Sequence, residues 1–187
     1  IIQAWCWSKQ QRKDAVYATR HLRKMLKQLE TNKNDSDGDM EPSLENYHMI
    51  LKAWKHSKDP YAPESAGMVL QLMKDAYQKG LTTKVQPDRT CFQICLQIAA
   101  AAQPKKNSEK LLFLGEQLVD PILVQMKEQQ MIPDEACYTA AIQTWKNLAL
   151  SLDDHDDAMK KQNKRSSAST TTRLREDCID RTVELLQ

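Results

Sequence analysis

Apolar residues recur along this chain at steps of i, i+3, i+4 and i+7, the spacing of one face of an α-helix. Three such sets open on an aromatic ring: Tyr47, Ile50, Leu51, Trp54; Phe92, Cys95, Leu96, Ala99; and Tyr138, Ala141, Ile142, Trp145. Each is preceded by a proline five residues before the ring, at Pro42, Pro87 and Pro133. The prolines stand 45 and 46 residues apart. Between the aromatic sets lie others with the same spacing: Ala66, Val69, Leu70, Met73, then Val119, Ile122, Leu123, Met126. The chain opens with a comparable set, Ala18, His21, Leu22, Met25, and closes with Ile179, Thr182, Val183, Leu186. An aromatic A helix followed by a Met-bearing B helix, at a fixed long period, marks a repeat array.

One hairpin cannot bury its own apolar stripe, so neighbours must stack. The pattern therefore predicts an all-α, right-handed superhelical solenoid of antiparallel helix-turn-helix repeats. Its expected units are a partial repeat over 1–40, repeats over 41–86 and 87–131, and a partial repeat over 132–187. Ala4 and Trp5 align with Ala53 and Trp54, so the chain begins inside a first A helix and reads as an excised piece. The joints differ in length, as loops tolerate. The longest, about 151–172, contains the acidic run Asp153 to Asp157 and the tract Ser166 to Thr172, and is expected to be disordered. Within the third B helix, Asp120 and Pro121 predict either a fresh helix start with proline at its first position or a kink.

Composition narrows the functional classes. Of the 187 residues 41% are hydrophobic and 28% charged, and no segment approaches the apolar length of a membrane span. Net charge is only +2, with acidic residues gathered in Asp35-Ser36-Asp37-Gly38-Asp39 and Asp153-Asp154-His155-Asp156-Asp157 on an otherwise modestly basic body. The five cysteines, Cys6, Cys91, Cys95, Cys137 and Cys178, form no CxxC pair. They read as small buried hydrophobes in a reducing compartment. No phosphate loop, dinucleotide fingerprint or HExxH occurs. The Asp35–Glu41 stretch misplaces the glycine of a calcium loop and has Asn46 at the closing position. No catalytic residue, metal ligand or cofactor is expected, and the chain is not expected to be an enzyme.

The unit as a whole resembles that of pentatricopeptide repeat proteins. Thr90-Cys91-Phe92-Gln93 and Ala136-Cys137-Tyr138-Thr139 stand where that family opens a unit. Met73 through Gly80 to Pro87-Asp88, and Met126 through Pro133-Asp134, stand where it closes one. The period here is longer than the family's, Ser43 replaces Asp in the first closing pair, and no Gly follows Met126. The tetratricopeptide pattern, built on Trp-Leu-Gly-Tyr, is missing.

The resemblance implies single-stranded RNA as partner, about one base per repeat, on the concave face of the A helices. It implies reading residues just after the opening aromatic and at the close of the unit. Carried over, these are His48 with Asp88, Gln93 with Asp134, Thr139, and Ser43 for the first unit. Lys52, with Lys55 and Lys146, could meet phosphates from the polar side of the A helices. The resemblance also implies a mitochondrion or plastid and a role in RNA processing, stability or translation, with no membrane and no small-molecule substrate. The alternative is a protein–protein interaction scaffold of the tetratricopeptide-like kind.

Overall fold

The computed structural model describes residues 11–31, 41–82, 85–102 and 114–161, with backbone alone at 11–12 and 151–161, and short helical stretches at 176–177, 179–180 and 183–184. Every regular element among the described residues is helical. The chain divides into two compact units, residues 1–98 and 99–187. The expected first A helix around Trp5, the Asp35–Asp39 run and most of the 151–172 insert lie outside the described residues, as do Cys6 and Cys178.

The first unit holds α1 (Gln11–Thr31), α2 (Leu44–Ser57), α3 (Ala62–Gln78) and most of α4 (Arg89–Ala101). α1 packs on α2, α2 on α3, and α1 also touches α3. The predicted stripes are the core: Tyr47, Ile50, Leu51 and Trp54 of α2, Ala66, Val69, Leu70 and Met73 of α3, and Phe92, Cys95 and Leu96 of α4 are all buried. Burial of each large side chain is worth about 1.5–3 kcal/mol, so these stripes supply the main force holding the helices together. One polar contact fixes the pairing of α1 with α2. Trp54 Nε1 donates to Thr19 Oγ1 at 2.9 Å, and that hydroxyl donates to the Ala15 carbonyl one turn back.

Local chemistry sets the helix ends. Ser43 caps α2 in a capping box: its hydroxyl accepts from the Asn46 N–H, and Asn46 Oδ1 accepts from the Ser43 N–H. Lys58 ends α2 in the left-handed conformation, and Asp59 Oδ1 accepts from the Tyr61 N–H to turn the chain into α3. α3 closes with a Schellman motif, the Leu81 N–H reaching the Ala76 carbonyl and the Gly80 N–H reaching Tyr77, with Gly80 at φ 65. The close of α5 has the same two bonds, Met131 to Met126 and Gln130 to Lys127. There Gln130 itself adopts φ 55.

The second unit holds the end of α4, a π-helical turn over Gly115–Val119, α5 (Asp120–Glu128) and α6 (Glu135–Lys161). The π turn packs against α6. Leu118, Val119, Ile122, Leu123 and Met126, with Cys137, Ala141, Trp145 and Leu148 of α6, are buried in this unit. Asn147 Nδ2 donates to the Ala100 carbonyl at 3.0 Å, satisfying one of the open carbonyls at the end of α4.

Three sequence expectations change. Asp120 is the first residue of α5 and Pro121 stands in its first turn, but α5 has no side-chain cap. Instead the π turn runs directly into α5, the Asp120 N–H bonding to Gly115 five residues back. The wider turn accommodates Pro121, which has no N–H to give. The helix opened by Glu135 does not end near Ser151 but continues to Lys161, 27 residues in all. No Gly or Pro interrupts that stretch, so nothing in it stops the helix once Trp145 and Leu148 anchor its start. Finally, Ile179 and Val183, expected on a buried stripe, are 44% and 47% exposed. Their spacing makes a helical face, but no described residue covers it.

Candidate functional site

The site begins with a proline-fixed helix start. Pro87 is buried ahead of α4, and Asp88 follows at the position that caps it. Asp88 Oδ1 accepts from the Cys91 N–H at 2.9 Å, and the Asp88 carbonyl accepts from the Phe92 N–H. This satisfies helix-start donors that would otherwise lack partners. Asp134 repeats the arrangement at α6, its Oδ1 accepting from the Cys137 N–H at 2.9 Å. The recurrence of Pro-Asp in the sequence is thus, at the level of local structure, a recurrent capping device.

Onto the first of these caps comes His48, 40 residues earlier in the chain. It lies on the first turns of α2, next to the fully buried Tyr47, and its Nε2 stands 2.9 Å from Asp88 Oδ1. The two side chains are 19% and 36% exposed, enough for an incoming group to reach them. Burial pushes the Asp88 carboxyl upward, but the hydrogen bonds from His48 and from Cys91 outweigh it and hold the carboxyl below its ordinary value. Asp88 is therefore ionised at neutral pH and can only accept, which makes His48 Nε2 the donor.

The other sequence-predicted positions stand as follows. Gln93 is half-buried on α4 in the first unit, and Asp134 is half-buried at the start of α6 in the second. Thr139 is exposed on α6. Ser43 is exposed, and its hydroxyl and N–H both serve the capping box with Asn46. Lys52 is exposed on α2, one turn beyond His48. Lys146 is exposed on α6, whereas the Lys55 ammonium is held by Gln97 Oε1 at 2.8 Å. Of all these, the structure brings His48 and Asp88 into direct contact.

Cys91 belongs to the same cluster, which its reading as a small hydrophobe misses. His48, Asp88 and Cys91 each offer one ligand-type atom, and these atoms lie within 4.8 Å of one another. Cys91 is fully buried and carries a free thiol, which burial holds protonated well above its ordinary range. The available signal is the Asp-x-x-Cys step, present at Asp88–Cys91 and again at Asp134–Cys137. Only on the first is a histidine from a neighbouring helix found among the described residues.

No protein-family model, no curated protein and no solved structure matches the chain. No helix among the described residues is long and apolar enough to cross a membrane.

Proposed function

We propose that this chain binds single-stranded RNA through the starts of its A helices, as part of a right-handed solenoid of helical hairpins, and does so without catalysis. The observation that carries the reading is the His48–Asp88 contact. Two partly exposed polar side chains, 40 residues apart in sequence, meet at 2.9 Å where one A helix begins and the next is capped. These are the two positions that the pentatricopeptide resemblance pairs for reading one base. The chemistry suits a base edge: an ionised Asp88 accepts from an amino or imino group, and the His48 imidazole donates or accepts beside it. Lys52, one turn further along α2 and exposed, is placed to meet a phosphate. By the same resemblance, the role is RNA processing, stability or translation in a mitochondrion or plastid.

The test is capture of a randomised single-stranded RNA pool by crosslinking at low and moderate salt, followed by sequencing of what is retained. Binding should weaken with salt, with a slope of about −0.7 per phosphate contacted on a log–log plot. His48→Ala and Asp88→Ala should each flatten base preference at one position of the enriched motif while circular dichroism shows the helices intact. Failure of a folded chain to capture RNA at either salt would favour the protein–protein scaffold instead. An enriched motif untouched by both substitutions would leave RNA binding standing but remove these two residues from the reading.

A further inference from the structure

We propose that His48, Asp88 and Cys91 are the three protein ligands of a thiophilic divalent cation of the zinc class, with a fourth position open to solvent. The proposal uses two of the side chains of the RNA reading but does not depend on RNA. A cation seated there and a base edge at Asp88 would exclude each other.

The donor set is one nitrogen, one oxygen and one sulfur, the borderline mixture that suits zinc rather than calcium or magnesium. The three ligand atoms already lie within 4.8 Å of one another. Closing onto zinc–ligand distances of about 2.0–2.3 Å requires each to move by less than about 1 Å. Charge also balances: an aspartate and a thiolate together neutralise a divalent ion, and the imidazole stays neutral. This matters because the start of α4 by itself presents partial positive charge, so a site lacking two anionic ligands would repel a cation there.

The ligands come from two helices. Asp88 and Cys91 are three residues apart at the start of α4, whose cap holds them on the same side. His48 enters from α2 and already faces the carboxylate at 2.9 Å. On coordination the Cys91 S–H bond breaks, the sulfur keeps the electron pair for the metal, and the proton leaves to solvent; His48 stays neutral by giving up its Nε2 proton and taking one at Nδ1 through solvent, which frees the Nε2 lone pair for the metal.

The experiment is titration of the chelator-treated full chain with Co(II), followed by its displacement with Zn(II). The expected result is a thiolate-to-cobalt charge-transfer band that saturates at one equivalent and is bleached by zinc. Cys91→Ser should abolish the band, and His48→Gln should weaken the affinity about 10–100-fold or more. Cys137→Ser, which alters the matching Asp-x-x-Cys step at α6, should leave it unchanged. Circular dichroism of each variant establishes that it is folded. Should Cys91→Ser fail to fold, His48→Gln, altered at a partly exposed side chain, decides the matter. No band in the folded wild-type chain with excess cobalt would overturn the proposal. So would a band that survives Cys91→Ser, since it would then arise from another cysteine, or a cobalt affinity that His48→Gln leaves unchanged. Neither result bears on RNA capture, which is measured without added metal.

Discussion

The indole of Trp145 lies where a side chain at Gly115 would have to go: a Cβ at that position would stand 2.4 Å from Cη2 and 2.6 Å from Cζ3 of the ring. Trp145 is itself buried and cannot swing away. Gly115→Ala should therefore destabilise the second unit by about 1–3 kcal/mol, the range for overpacking a filled core. Thermal or urea unfolding measures it. In a double-mutant cycle with Trp145→Leu, the two losses should fall short of adding, because the smaller side chain makes room for the methyl. Full additivity would show that the two residues do not constrain each other.

Gly80 and Gln130 hold the same place in successive Schellman motifs, and substitutions there should have opposite signs. Nothing lies within 4 Å of the Cβ position of Gly80, so Gly80→Ala acts through the backbone alone at φ 65 and should cost about 1 kcal/mol. Gln130 already bears the strain of a left-handed residue at φ 55, and Gln130→Gly should stabilise by a similar amount, up to about 1 kcal/mol. Paired melting curves test both. A destabilising Gln130→Gly would mean that the Gln side chain makes a contact worth more than its backbone strain.

Thr19 is the buried acceptor for the Trp54 indole. Thr19→Val keeps the shape but leaves that N–H unsatisfied in the core, at a cost of about 1–3 kcal/mol. Thr19→Ser retains the hydroxyl and should lose less. Urea denaturation of the two variants separates hydrogen bonding from packing, and equal losses would rule the hydrogen bond out as the cause.

Asp88 links stability to acid pH. Its folded value is lowered from the ordinary 3.8, so its contribution is complete above that value and disappears as pH falls through the lower, folded one. Asp88→Asn keeps a capping oxygen but not the charge. The acid limb of the stability–pH curve below about pH 4 should become shallower, by no more than about 1 kcal/mol for a side chain this exposed. Identical acid limbs in the two proteins would contradict the cited cause.

The helical stripes were legible because burial selects apolar residues at the helical period, and Tyr47, Phe92 and their partners had no other reason to be so spaced. The caps at Asp88 and Asp134 were legible as a recurring Pro-Asp. The proximity of His48 to Asp88 was not in the spacing at all and entered only through the resemblance. Cys91 was hidden because a buried thiol has the same pattern as a small hydrophobe. Trp145 packs against Gly115 at the start of the π turn, a contact that periodicity cannot report. The length of α6 was missed for a compositional reason: Asp153 to Asp157 read as a loop, although no helix-stopping residue accompanies them.

The π turn also changes the angular phase of the third B helix. Its buried residues advance by strict fours, through Leu114, Leu118, Ile122 and Met126, and through Gly115, Val119 and Leu123. In an α-helix every four residues overshoot a full turn by about 40°, so such a row would spiral away from its partner. The underwound turn from Gly115 to Val119 subtracts part of that excess. It works as a vernier, resetting the angular phase of the helix before α5 begins.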